Sequence, residues 1–374
     1  MIISSKPFPS FKVIFKKDIN HIEFDKKWKH FCFFKFGREA LLSGLVELGL
    51  KKGDHIIIPA YICDSAIAPL RDYGFKLIYV DIDNNGNLPI NSFQNLIEIH
   101  KPKAILVVHY FGFIFDINKL IYVCHKNKIK VIEDYSHSFQ SQLFQENICK
   151  SDMEIYSMRK SLPVADGGAF RIKNRDLKAK SSKDLQKNNS NNNLLFLALR
   201  FLESLVIKVG INLYNPSFLN FKKTLLKINQ KPQAPRNHHI VGPSNQLKYY
   251  LGNENYLNSR LQKIQKNFNF LINSFKNDGY AFPFESFNIE SIPQVFLVKD
   301  KTGGLLKYMN SRGIGAYSWP NNEMPDEVRI NSSLFPNAIS LDKTLVLLPI
   351  HQDIDLIHLN YIVLSIKEWC QNNE

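Results

Sequence analysis

The chain has 374 residues, enough for a large core and for one large domain with a smaller one beside it. Apolar residues make up 44% of it and aromatic residues 12%, as in globular proteins. The formal net charge of +14 favours an anionic substrate, but the lysines are spread out. Because no zinc finger, basic helix or RNA-binding aromatic motif occurs, we expect no nucleic-acid partner. No apolar run approaches the length of a membrane span, and the first residues lack the apolar core of a signal peptide.

The cysteines indicate a reducing compartment. They are Cys32, Cys63, Cys124, Cys149 and Cys370. Their number is odd, none forms a C-x-x-C pair, and several lie in apolar runs. This pattern predicts free thiols in a cytoplasmic protein, with neither a disulfide framework nor a metal site.

Residues 1–35 are irregular, rich in lysine and phenylalanine, and are predicted to form an N-terminal arm. A helix then begins near Gly37, where backbone N–H groups can bind an anion; an ordinary helix start is the alternative. Strands and helices alternate after it. The strands are HIIIPAY, KLIYVDID and AILVVHYFGF, and the helices are CDSAIAPLRDYGF, a segment ending in FQNLIEIHKP, and FDINKLIYVCHKNK. This alternation predicts an α/β fold with a mostly parallel central sheet flanked by helices.

Three short apolar runs lie between Lys128 and Ile172. They place an acid, a hydroxyl and a lysine at or near their ends: Asp134, Ser157 and Lys160. Strand ends that meet at one edge of a sheet predict a site there. A lysine amine can form a Schiff base with the aldehyde of pyridoxal 5'-phosphate (PLP), whose ring nitrogen needs an acid. On spacing alone, a solvated loop lysine beside an ordinary acidic pair explains the pattern too.

The segment IEDYSHS followed by YSMRKSLPVADGGAF resembles the core of the DegT/DnrJ/EryC1/StrS aminotransferases. These are PLP-dependent sugar aminotransferases of fold type I. The resemblance implies that Lys160 is the Schiff-base lysine and that Asp134 pairs with the pyridine nitrogen. It also implies that His137 lies near the ring's 3-oxygen and that Ser157 contacts the phosphate. The likeness extends over roughly residues 36 to 370, with 175–240 poorly matched.

Two further segments resemble cofactor-binding elements of that family. Gly37-Arg38-Glu39 matches the phosphate-binding Gly-[ST]-x-A-L element, with Arg38 where the family has Ser or Thr. Backbone amides and the charge of Arg38 would then hold the phosphate. After the proline of HIIIPAY, the family has an aromatic residue that stacks on the cofactor ring. That place falls at Cys63, with Tyr61 two residues earlier, and either is a candidate; ordinary packing is the alternative.

Other resemblances lie outside the central segment. His109, in VHYFG, either lines the site or is structural. Ser244 and Asn245 lie in a segment like the family loop that reaches the neighbouring subunit's cofactor phosphate. Trp319-Pro320 and the LPIH ending at His351 resemble family landmarks.

The predicted domains are the arm 1–35, a large PLP-binding domain 36–250 and a small α+β domain 251–374. Residues 175–240 form a variable insertion containing an amphipathic helix, LLFLALRFLESLVIKVGINLY. We expect it to pack on the body or on a second subunit; contact with a membrane surface is the alternative.

The resemblance implies a homodimeric aminotransferase that moves an amino group, from glutamate, to a keto-sugar. We expect that sugar to be nucleotide-linked and to serve surface-polysaccharide or secondary-metabolite biosynthesis. Three alternatives stay open. They are a sugar dehydratase, which Lys160 disfavours because such relatives carry histidine there, an enzyme acting on a non-sugar ketone, and a non-catalytic binding or regulatory protein.

Overall fold

The computed structural model describes residues 1–9, 24, 27–90, 93–142, 150–173, 190–215, 242–276, 283–284, 291–321 and 323–373. Residues 10–23, 25 and 26 of the predicted N-terminal arm, Cys149 and much of the segment 175–240 lie outside the described residues.

A seven-stranded sheet forms the centre of the molecule. Its strands are β1 (Cys32–Phe34), β2 (His55–Pro59), β3 (Lys76–Val80), β4 (Ala104–Val108), β5 (Lys130–Asp134), β6 (Met153–Ser157) and β7 (Gly168–Ile172). The strand order is β1-β7-β6-β5-β4-β2-β3. Strands β2 to β6 pair in parallel, while β7 is antiparallel to both β6 and β1. Strands β4 and β6 are buried along their whole length; β4 has the continuous apolar sequence AILVV that such burial favours, whereas β6 includes Glu154.

Helices follow the strands as the alternation predicts. They are α1 (Gly37–Glu47), α2 (Asp64–Tyr73), α3 (Phe93–His100), α4 (Asn118–Lys126), α5 (Phe139–Gln142) and α6 (Ser190–Lys208). Helix α1 packs against β6 and β7, so its first turn lies beside the end of β6. Helix α2 ends at Gly74, whose φ of 103° is in the left-handed region that glycine adopts readily.

The C-terminal part has its own two-stranded antiparallel sheet of β8 (Val295–Lys299) and β9 (Leu345–Pro349). Its helices are α7 (Asn245–Leu251), α8 (Glu254–Phe275), α9 (Leu305–Ser311), α10 (Asp326–Ile330), α11 (Pro336–Thr344) and α12 (Leu356–Asn373). Helices α7 and α8 are separate, because Asn253 accepts a hydrogen bond from the Tyr256 amide and starts a new helix. The domain boundary near residue 250 stays a prediction.

The strand expected to run through His109 to Phe113 also ends earlier, at Val108. A tight turn replaces its last residues, with φ of 55° at Phe111 and 100° at Gly112. A Cβ at Gly112 would lie 2.3 Å from the carbonyl oxygen of Ile292. The chain therefore turns here because it packs against the backbone of a later segment, and the turn positions Phe111 beside the central strands.

Candidate active site

A cavity of about 320 Å³ lies where β5 and β6 end and α1 begins, and Asp134, Ser157 and Lys160 line it. Asp134 is the last residue of β5, and Ser157 is the last residue of the adjacent parallel strand β6. A short 3₁₀ turn, Met158–Lys160, carries the lysine back over the strand ends. The structure thus brings the predicted acid, hydroxyl and lysine into one cavity.

Lys160 is held among buried groups. Its Nζ lies 2.8 Å from Nε2 of His137 and 5.9 Å from the centroid of the Trp319 ring. Burial lowers the pKa of Lys160, and the nearby carboxylate of Asp134 offsets only part of that shift. A lowered pKa enlarges the fraction of neutral amine, which is the nucleophilic form.

His137 is buried, and burial together with the neighbouring charge of Lys160 holds its pKa well below the usual value. The neutral ring can accept from Lys160 through Nε2, which leaves the proton on Nδ1. No described residue accepts that proton. The ring stacks on Phe111, with centroids 5.2 Å apart, and meets the edge of Trp319 at 4.7 Å. A bound molecule with an acceptor atom would satisfy this buried donor.

Asp134 is 8% exposed and lines the cavity. Its Oδ1 accepts a hydrogen bond from the Ser136 amide at 2.7 Å, which fixes the carboxylate. Among the described residues, Oδ2 receives no hydrogen bond. Asp134 can therefore accept a proton-bearing group of a ligand within the cavity.

The start of α1 forms a small polar cradle. A Cβ at Gly37 would lie 3.1 Å from Cβ of Ser157 and 3.5 Å from Oγ of Ser136. Both serines are 6% exposed and line the cavity, and neither hydroxyl has a hydrogen-bond partner within the described part of the chain. The helix has no side-chain N-cap, so its first N–H groups remain available. Unpaired donors at a helix start suit an anion such as a phosphate.

The two candidates for the cofactor ring lie in different places. Cys63 lines the cavity, with Sγ 3.0 Å from Oγ of Ser65 and 3.1 Å from Oε2 of Glu323; burial raises the pKa of its thiol. Tyr61 is fully buried outside the cavity lining and donates its hydroxyl to the backbone oxygen of Trp319 at 2.5 Å. Tyr61 therefore supports the cavity wall, while Cys63 forms part of its surface.

Glu39 also lies outside the cavity lining. Its Oε2 accepts from the amide of Phe36 at 3.2 Å and so stabilises the start of α1. Arg38 lines the cavity near that helix start.

His109 has a structural environment. Its Nδ1 accepts from the Phe115 amide at 3.2 Å, so Nε2 carries the proton and donates to Glu133 at 3.1 Å. Ser244 likewise forms bonds within its own chain: it caps α7 and donates its hydroxyl to Asp166 at 2.7 Å. The role of Ser244 and Asn245 towards a neighbouring subunit stays a prediction.

Sequence reasoning missed several cavity residues: Phe36, Ser136, Arg159 and Glu323 line it beside the predicted ones. Trp319 also lines the cavity, whereas the sequence analysis identified it only as part of a segment that resembles the family. Arg159 directly precedes Lys160 and could have been predicted from its place in the same motif. Glu323 belongs to a loop far along the chain, and no sequence signal connects it with the site.

Comparison with known proteins identifies similar sequences and structures. The model of the DegT/DnrJ/EryC1/StrS aminotransferase family matches residues 26–192. A UDP-4-amino-4-deoxy-L-arabinose--oxoglutarate aminotransferase from Shewanella sediminis is 27% identical over 138 residues, 36% of each chain. A GDP-perosamine synthase from Escherichia coli O157:H7 is 26% identical over 136 residues, 35% of this chain and 37% of that one. The matched part thus spans little more than a third of these curated relatives.

Among solved structures, the putative sugar aminotransferase Spr1654 from Streptococcus pneumoniae, in its PMP form, has a TM-score of 0.67. Its identity is 15% and the match covers all of both chains, which shows a shared fold. The molecule therefore has the fold of the PLP-dependent aminotransferases, and the predicted fold class is confirmed. The family resemblance is confirmed as well over residues 26–192, which the model of the DegT/DnrJ/EryC1/StrS aminotransferase family matches.

Proposed function

We propose that this protein is a PLP-dependent aminotransferase that transfers an amino group, from glutamate, to a keto-sugar. The observation that carries the proposal is the placement of Lys160 and Asp134 in one cavity, at the ends of adjacent parallel strands. The close contact of Lys160 with His137 and the polar cradle at Gly37 supply the remaining contacts that such a cofactor needs.

Each residue has a definite task in this proposal. When bound, PLP supplies an electron sink that stabilises negative charge at the substrate carbon. The amine of Lys160 would hold the cofactor through its aldehyde carbon and would move the substrate proton as general base and acid. Asp134 would keep the proton on the ring nitrogen, and His137 would contact the 3-oxygen. The start of α1 at Gly37 and the hydroxyl of Ser157 hold the phosphate.

We further propose that the keto-sugar is nucleotide-linked and belongs to surface-polysaccharide or secondary-metabolite biosynthesis. Two curated relatives carry UDP- or GDP-linked sugars in their names. The net charge of +14 favours an anionic substrate over a neutral ketone.

We propose a homodimer in the cytoplasm. Cys32, Cys63, Cys124 and Cys370 form no disulfide, which fits a reducing compartment. Within the part of the chain that the structure describes, no helix combines the length and apolarity needed to span a membrane. Helix α6 exposes apolar side chains, including Leu199 and Leu202, that a second subunit would cover. Light scattering of the purified protein tests the dimer.

The visible absorbance of the purified protein with PLP tests the assignment of Lys160. We expect a band from the bond between lysine and cofactor that Lys160→Ala abolishes, while Lys130→Ala, on the exposed end of β5, retains it. An unchanged band in Lys160→Ala would refute the assignment.

A second measurement separates the enzyme from a non-catalytic binding protein. Glutamate added to the PLP-loaded protein should convert the cofactor to pyridoxamine phosphate, and nucleotide-linked keto-sugars should then restore PLP. Absence of conversion with every amino donor would favour the binding protein. Restoration by simple keto acids but by no sugar of the panel would favour a non-sugar substrate.

A further inference from the structure

Two arginines lie over one aromatic ring at the mouth of the cradle described above. The guanidinium carbon of Arg38 is 4.6 Å from the centroid of the Phe36 ring, and that of Arg159 is 4.9 Å from it. All three residues line the cavity. Phe36 directly precedes α1, and Arg159 directly precedes Lys160. The pair therefore connects the helix start with the lysine turn.

The two charges lack a counterion within the described residues. Neither Arg38 nor Arg159 forms an ion pair with a carboxylate there, although Asp134 and Glu323 line the same cavity. Burial lowers the pKa of Arg159, and repulsion from Arg38 lowers it further. The Phe36 ring lies beside both guanidinium groups and stabilises each cation. An anion bound between them would relieve the repulsion.

We propose that Arg38 and Arg159 form a guanidinium pair that binds the phosphate of the cofactor, in place of the hydroxyl that the family carries at position 38. The proposal rests on the proposed function. A planar guanidinium donates two parallel hydrogen bonds to a phosphate, and a hydroxyl donates one. The buried hydroxyls of Ser136 and Ser157, for which the described residues offer no partner, complete the set of donors around the same helix start.

Phosphate binding by the guanidinium pair has two consequences that binding by a hydroxyl lacks. Binding of PLP depends strongly on its phosphate, so pyridoxal, which has the same aldehyde and ring, loses most of the affinity. Binding also weakens as salt screens the charges, because both arginines are exposed to solvent.

The experiment titrates the full chain, freed of cofactor, with PLP and separately with pyridoxal. Quenching of tryptophan fluorescence and the absorbance of the lysine-bound cofactor report binding. Arg38→Ala and Arg159→Ala should each raise the dissociation constant for PLP about 10- to 100-fold, as expected for the loss of charge-assisted hydrogen bonds. The dissociation constant for pyridoxal should change less than about threefold. Arg38→Lys and Arg159→Lys, which keep the charge without the planar fork, should lie in between.

Lys35→Ala is the matched control. Its ammonium lies 5.4 Å from the same Phe36 ring but outside the cavity lining, so its removal should change neither titration. A salt series should weaken PLP binding more steeply in the natural protein than in Arg38→Ala/Arg159→Ala.

The outcomes separate this inference from the function on which it rests. Equal losses for PLP and pyridoxal in the arginine variants, or no loss for PLP, would overturn the guanidinium pair while the aminotransferase assignment stands. Failure of the natural protein to form a Lys160-dependent band with PLP would overturn both.

Discussion

Replacing Gly168 by alanine tests how tightly the cofactor cradle is built. Gly168 begins β7 and pairs with Phe34 on one side and with Ser157 on the other. A Cβ there would lie 2.2 Å from the carbonyl carbon and oxygen of Phe36 and 2.7 Å from the amide nitrogen of Gly37. All three obstacles are backbone atoms at the start of α1, so no side-chain rotation can make room.

The distances set the magnitude of the effect. Carbon atoms in contact lie about 3.5–4.0 Å apart, so the helix start must move by more than about 1 Å. Overpacking of this kind costs about 1–3 kcal/mol, and a backbone obstacle places Gly168→Ala near the upper end of that range. The same movement carries Gly37 away from Ser157. We therefore expect weaker PLP binding, by about tenfold, in addition to the loss of stability.

Urea denaturation of cofactor-free protein, followed by circular dichroism, measures the free energy of unfolding without a contribution from ligand binding. Gly44→Ala, within α1, is the control. Its Cβ would lie 2.3 Å from Sδ of Met153, the far end of a flexible side chain, and alanine favours a helix by about 1 kcal/mol. We expect its stability to stay within about 1 kcal/mol of the natural protein. If Gly168→Ala is as stable as Gly44→Ala, the argument from backbone contact is wrong.

Three further predictions concern charge and backbone. Burial lowers the pKa of Lys160, and the carboxylate of Asp134 raises it by a smaller amount. Asp134→Asn should therefore move the pH midpoint of Lys160 acylation downward, and an unmoved midpoint would contradict this prediction. Burial raises the pKa of Glu133, but the hydrogen bonds that its carboxylate accepts lower this pKa below the usual value. The ionised carboxylate therefore stabilises the fold at neutral pH, and this stabilisation is lost as pH falls through the folded-state pKa. Glu133→Gln should therefore lower the unfolding free energy by about 1.5–3 kcal/mol at pH 7, with the difference narrowing below about pH 4 in urea titrations. Gly112→Ala should lower the thermal midpoint of unfolding well below that of Gly303→Ala. Gly112 has a φ of 100° and a Cβ there would lie 2.3 Å from a backbone oxygen, whereas a Cβ at Gly303 would meet nothing. Equal midpoints for the two variants would contradict this prediction.

The fold was largely accessible from the sequence because its strands are short, apolar and regularly interrupted. The segment AILVV is buried along its whole length, and its shortness and β-branched residues predict a strand where periodicity alone would not decide. The strand predicted through His109 ends early because a tertiary contact decides: the turn at Gly112 packs on Ile292, some 180 residues later. The local sequence pattern does not contain this contact.

The residues of the site likewise fall into those that the sequence predicts and those that depend on tertiary packing. Lys160 and Asp134 could be brought together from the sequence because the ends of adjacent parallel strands lie at one edge of a sheet. Gly37 could likewise be predicted from local sequence, because a glycine at a helix start leaves backbone N–H groups accessible to an anion. Trp319 and Glu323 reach the cavity from a loop of the C-terminal part, and Tyr61 turns away from it to support that loop. Their placement depends on how two parts of the chain pack, which spacing does not encode.

Spacing also says nothing about protonation, and protonation decides whether Lys160 can act as a nucleophile. The acid that the motif supplies works against this, because a carboxylate beside an amine favours the ammonium form. Burial among His137, Trp319 and the strand ends works in the opposite direction and is the larger effect, so the pKa of Lys160 is lowered overall. The same burial keeps His137 neutral and able to accept from the amine. A lysine in an identical motif on a solvated loop would stay protonated, so the reactivity of this lysine comes from the packing around the motif.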